Sequence, residues 1–339
     1  MTKSRIEFID LAKGLCIIQV VFVHIHGYFN FPYELNNALS SFRMPLYFFL
    51  SGLFFKTYKN FFDFIVRKIN KLFIPFLFFF LTTSVMLPHF LYFIGYSVRT
   101  PNAIGWQSLY SFITPERFPN EPIWFLLCLF ITNIFFYTLH IISQKIKFPI
   151  FFLIISSFII SFIGYYLGYK HINLPMYIDT AMTSSLFFCI GHLFYRHTSI
   201  LYPNKSDKFI ILFVIVTSVY VYIFAKHKVN YLLNTYNGAS YFEVISCGII
   251  GTLFIILLSK AIKKIRFISY WGRYSIIILC THNLIIQTII PIITKINTNK
   301  WIIILITLSI TMFLYLIIIP LCVKFLPYVT AQKDLIKSK

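Results

Sequence analysis

Lys13 and His24 stand eleven residues apart in a stretch that is otherwise almost wholly apolar. On a helix of 3.6 residues per turn, eleven residues make very nearly three turns. Both side chains then share one face, about 16 Å apart along the axis. That face carries a cation at one end and, deep in the run, an imidazole. A polar ring at such depth is costly unless it is paired or put to use, and an uncharged imidazole there can accept a proton. The alternatives are a snorkelling lysine that only anchors the helix and a histidine that only packs. His26 lies nearer the end of the run and on another face.

Further polar positions follow. Arg43 opens the next apolar run, Ser41-Phe42-Arg43-Met44-Pro45-Leu46-Tyr47-Phe48-Phe49-Leu50-Ser51-Gly52, where it either faces a substrate or anchors the helix. Pro45 is expected in the first turn, where proline is tolerated. Ser51 and Gly52 permit close helix approach, a structural role. Arg67 and Lys71, four residues apart, share a face in Arg67-Lys68-Ile69-Asn70-Lys71-Leu72-Phe73-Ile74-Pro75. Such a pair either grips phosphates of a cytosolic ligand or fixes topology. Asp10 is expected to pair with a nearby cation, Lys13 being one candidate.

The elements that must hold these residues are membrane helices. Of 339 residues 58% are hydrophobic and only 12% charged, about half the charge a soluble domain carries. Ten apolar segments are long enough, or nearly so, to cross a bilayer: about 11–29, 42–56, 72–94, 123–142, 148–168, 180–196, 208–225, 241–260, 273–291 and 301–322. The fold expected is all-α, a polytopic integral membrane protein of about ten transmembrane helices forming one domain over 1–339. With the N-terminus inside, 22 of the 30 Lys and Arg residues fall in inner segments and 8 in outer ones, which places both termini in the cytoplasm. The net charge of +20 is then charge sorting across a bilayer rather than a nucleic-acid footprint. Glu7, Asp10 and Lys13 interrupt the approach to the first run, so an uncleaved span is expected there rather than a signal peptide. The six cysteines show no CxxC pair and no metal spacing, which leaves packed thiols and no metal. The connection 95–122, with Pro101, Gly105, Pro115, Pro119 and Pro122, is either a functional loop or a tether.

Taken in order, these motifs resemble the acyltransferase 3 family of membrane-bound acyltransferases, its fucose O-acetylase-like branch above all. The matches are a basic residue, ten intervening residues and a histidine (Lys13 to His24); Met-Pro-Leu-aromatic-Phe-x-x-Ser-Gly (Met44 to Gly52); and the basic segment from Arg67 to Pro75. Trp124-Phe125-Leu126, and Trp271-Gly272-Arg273-Tyr274-Ser275 leading to His282, match more weakly. Lys13 departs from the arginine common at that position and lacks its planar fork. The resemblance implies an O-acetyltransferase of the bacterial cytoplasmic (inner) membrane. It would move an acetyl group from acetyl-CoA to a sugar hydroxyl of a surface polysaccharide, the acceptor being a glycan or lipid-linked glycan. It further implies His24 as catalytic base, with a transient acetyl-imidazole as the other route. Lys13, Arg67 and Lys71 would bind the donor, and Arg43, His282 and Trp124 the acceptor. The rival reading is a transporter or flippase whose histidines relay protons. Against it stand the absence of an internal repeat and of any acid deep in an apolar run.

Overall fold

The computed structural model describes residues 6–29, 35–94, 120–197, 207–296 and 298–337. Most of the 95–122 connection therefore lies outside the described residues. Among the described residues, eleven helices account for nearly all the regular structure: α1 (Glu7–His26), α2 (Leu35–Leu53), α3 (Phe61–Phe93), α4 (Trp124–Ser143), α5 (Pro149–Tyr169), α6 (Ile178–His197), α7 (Asp207–Phe224), α8 (Tyr241–Ile262), α9 (Arg266–Arg273), α10 (Ser275–Ile293) and α11 (Lys300–Phe325). Seven of them, α1, α3, α4, α5, α8, α10 and α11, are long and apolar enough to cross a membrane. α2 and α6 are of similar length but carry Asn36, Ser40, Ser41 and Arg43, and Asp179, Thr183, Ser184 and His192. These two pack on each other inside the bundle, where neighbouring helices shield the polar positions.

Three local features depart from the pattern read in the sequence. α2 begins at Leu35, so Pro45 lies in mid-helix instead of the first turn. Four of the seven extra residues at its start, Asn36, Asn37, Ser40 and Ser41, are polar, which breaks the apolar run, but the stretch is helical and mostly buried. α3 begins at Phe61, before the apolar run, on an Asn60 cap whose side chain accepts from the Asp63 amide at 2.8 Å. It is also not a continuous α-helix. Ile69–Phe73 and Phe80–Met86 are π-turns, and each ends just before a proline, Pro75 or Pro88. A proline removes an i→i−4 bond and crowds that carbonyl, and a widened turn relieves both.

Close backbone contacts set the helix positions around the chemistry. A Cβ on Gly14 would strike the Ile268 carbonyl of α9, and one on Gly272 would strike the Asp10 carbonyl of α1. The two glycines thus let α1 and α9 touch backbone to backbone. Gly52 of α2 and Gly191 of α6 do the same reciprocally, against the carbonyls of Phe188 and Phe49. The aromatic core of Phe48, Phe49, Phe136, Phe187 and Phe188 fills the space between.

Candidate active site

A cavity of about 430 Å³ opens where six segments meet: the first half of α1, the end of α2 with the chain after it, the first turns of α3, the first half of α4, the α9–α10 junction and the chain that follows α11. Its charged lining is Lys13, Arg67, Lys68, Lys71, Arg273 and Asp334. Five cations against one carboxylate make this a receptacle for anions. The α9 helix breaks at Tyr274, and α10 restarts at Ser275 with its first residues in the cavity wall. A helix N-terminus adds unpaired N–H groups and positive dipole there.

Each cation is held. Lys13 Nζ sits 5.9 Å from the Phe54 ring centre, and its carbonyl accepts from the Tyr47 hydroxyl at 3.2 Å. Arg67 Nε lies 3.0 Å from Asp63 Oδ1, with its guanidinium 4.7 Å from the Tyr58 ring centre. Tyr58 takes φ +59°, a left-handed conformation that non-glycine residues seldom adopt outside sites that need it. Burial raises its phenol above the ordinary range, Arg67 opposing and Asp63 and Asp334 adding to the effect. The hydroxyl therefore stays protonated and able to donate. Lys71 Nζ lies 3.0 Å from Asp334 Oδ1 and donates to the Ala331 carbonyl at 2.9 Å.

Further along the same helix faces sits a pair of histidines. The rings of His24 and His282 are 5.0 Å apart, edge to face at 60°. His282 is fully buried, and its Nδ1 lies 2.8 Å from the Ile278 carbonyl. A carbonyl only accepts, so Nδ1 carries the proton and Nε2 presents a lone pair. Nε2 is buried without a hydrogen-bond partner, an arrangement that costs stability unless a ligand completes it. Arg43 lies within electrostatic range of His24, and its Nη1 is likewise buried without a hydrogen-bond partner. The Arg43 carbonyl accepts from Cys16 Sγ at 3.2 Å, which pins α2 to α1. The site thus offers a waiting acceptor and a waiting donor beside two imidazoles.

Cavity and histidine pair share two walls. On α10, Ile276 and Leu279 line the cavity and His282 follows at the same spacing of three. On α1, Lys13 and Ile17 line it, and His24 follows seven residues, about 10 Å, beyond Ile17. A ligand anchored on the cations must therefore extend an arm along these faces to reach the imidazoles.

Of the residues singled out in the sequence, Lys13, Arg67 and Lys71 come together in the cavity, and His24, His282 and Arg43 come together beyond it. Ser51 lines the cavity, while Gly52 makes the α2–α6 contact. Asp10 is buried beneath α9, its carbonyl under Gly272. Trp124 stands apart, packed on Phe125 and Tyr177 at 6.1 and 5.5 Å, while its neighbour Phe125 lines the cavity. Sequence reasoning passed over Tyr58, Arg273, Ser275 and Asp334. Arg273 and Ser275 were visible within the Trp271–Ser275 motif, but Tyr58 and Asp334 belong to no pattern. A second imidazole pair, His140 and His192 with ring centres 5.4 Å apart among Phe55 and Phe136, also escaped notice. Among the described residues no group of three or more His, Cys, Asp or Glu side chains could hold a metal ion.

Comparison with known proteins gives one assignment. No individual curated protein and no solved structure matches the chain significantly. The family model described as an acyltransferase domain matches residues 6–324, nearly the entire length. The cation-lined cavity and the His24–His282 pair beyond it thus lie within a domain of acyl-transferring enzymes, and the chain belongs to the acyltransferase 3 family.

Proposed function

We propose that this protein is a membrane O-acetyltransferase that takes an acetyl group from acetyl-CoA at the cytosolic face and passes it to a sugar hydroxyl of a bacterial surface polysaccharide. One observation carries the reading: the cation-lined cavity and the His24–His282 pair lie on the same faces of α1 and α10. Lys13, Arg67 and Lys71 hold the donor phosphates, and the α10 N-terminus adds its dipole. The apolar wall of Ile17, Leu50, Phe125 and Leu279 guides the thioester arm toward His24. His24 takes the proton of the acceptor hydroxyl as its oxygen attacks the thioester carbonyl carbon. The carbon–sulfur bond breaks, and the departing thiolate recovers that proton from the imidazolium. His282 Nε2 accepts a hydrogen bond from the acceptor glycan, and Arg43 Nη1 donates one to it or to the developing oxyanion. Ten spans with both termini cytoplasmic, a topology in keeping with the distribution of basic residues, and residence in the inner membrane complete the proposal.

The test is chemical analysis of the host glycan. His24→Ala should remove O-acetyl signals from the NMR spectrum of the surface polysaccharide while the protein still accumulates in the membrane. Unchanged O-acetylation in that variant would refute His24 as the base.

A further inference from the structure

The chain after α11 returns to the mouth of the cavity, where the buried amide of Asn70 clasps it and Lys71 holds it. Asn70, 1% exposed, sits in the first π-turn of α3. Its Oδ1 accepts from the backbone N–H of Leu335 and Ile336 at 2.8 and 2.9 Å. Its Nδ2 donates to the Ile336 and Val66 carbonyls at 2.8 and 3.0 Å. All four hydrogen-bonding positions of the side chain are thereby used. Three of them hold residues some 265 positions away in sequence, so the clasp is specific tertiary structure.

One residue along, that clasp sets Asp334 in the cavity wall, 3.0 Å from Lys71 Nζ, while Ala331 gives the same ammonium its carbonyl at 2.9 Å. Gln332 lines the cavity beside them. The ammonium assigned above to a donor phosphate is therefore already neutralised by a carboxylate of this chain. Lys71 and Asp334 remain about half exposed, 46% and 42%, so an incoming anion can reach the pair.

We propose that the segment following α11 is a strap, clasped by Asn70, whose Asp334 carboxylate occupies the phosphate seat at Lys71 and must be displaced by the anionic donor. This rests on the donor reading given above and adds an internal competitor to it. The strap keeps the seat satisfied when empty and makes donor binding an exchange of anions. It thereby favours ligands with several phosphate charges over singly charged metabolites, which gain too little to exchange.

The proposal is tested with the full-length protein in nanodiscs, titrated calorimetrically with coenzyme A and separately with inorganic pyrophosphate. Removing a half-exposed competing carboxylate should strengthen binding about two- to fivefold, so Asp334→Asn should lower Kd for both probes by that factor. Asn70→Ala, which unclasps the strap without touching a charge, should shift both Kd values in the same direction. In a Lys71→Ala background, Asp334→Asn should make no further difference. Hydrogen exchange at Leu335 and Ile336 reports whether each variant keeps the clasp. Stronger pyrophosphate binding by Asp334→Asn, with coenzyme A unbound by every variant, would uphold the strap and overturn the donor reading. Unchanged or weakened binding of both probes in Asp334→Asn would overturn the strap.

Discussion

Replacing Gly272 with alanine adds one methyl group far from any reacting atom, yet it should damage the enzyme. That Cβ would lie inside the contact distance of the Asp10 carbonyl oxygen and against the Gly14 amide. Both are backbone atoms, so no side chain can swing away. Restoring ordinary contact moves α1 and α9 apart by about 1.5 Å, and overpacking of this kind costs about 1–3 kcal/mol of stability. The same shift separates Lys13 on α1 from Arg273 and Ser275 at the α9–α10 junction, all in the cavity wall. Misplacing binding groups by about 1 Å can lower kcat/KM by about a hundredfold. Gly27→Ala is the matched control, because its nearest neighbour is the Val23 carbonyl at 3.3 Å, within the same helical turn. Thermal unfolding in detergent and acetyl-transfer kinetics should both separate the two variants, with Gly272→Ala lower in Tm and raised in KM for acetyl-CoA. Equal Tm and equal KM in the two would refute the claim that this contact positions the donor site.

Other expectations concern the charges and the pair of rings. Arg67→Ala and Lys71→Ala should each raise KM for acetyl-CoA about five- to tenfold, with kcat nearly unchanged and a weaker dependence on salt. His282→Ala removes the buried Nε2 acceptor and should raise KM for the glycan much more than KM for acetyl-CoA, as measured by varying each substrate at saturation of the other. Reporter fusions after Lys339 should be active only when the reporter functions in the cytosol. Activity of a periplasm-dependent reporter at that position would overturn the proposed orientation.

The helices were legible because a bilayer-crossing segment needs about 20 apolar residues in one run, a signal that survives without any knowledge of partners. Lys13 and His24 could be placed on one face because both fall within a single helix, where spacing fixes direction. The approach of His24 to His282, 258 residues away, follows from packing that no period encodes. The same is true of Asn70 and Ile336, joined through a polar amide rather than an apolar stripe. Pro75 and Pro88 do mark the π-turns in retrospect, since each sits just past a widened turn. Proline alone, however, does not distinguish a π-turn from a kink or a helix end. Asp334 belongs to no sequence pattern that marks it as the partner of Lys71, 263 residues away; only the fold brings the two together.

The most direct measurement supplies purified protein in lipid vesicles with acetyl-CoA carrying a radiolabelled acetyl group and with the host's polysaccharide precursor. Label in the glycan and free coenzyme A thiol are then followed together. The account predicts equimolar appearance of both with the wild-type protein and neither above background with His24→Ala. Label reaching the glycan at the wild-type rate in His24→Ala, or precursor moved across the vesicle without any thiol released by the wild type, would contradict it.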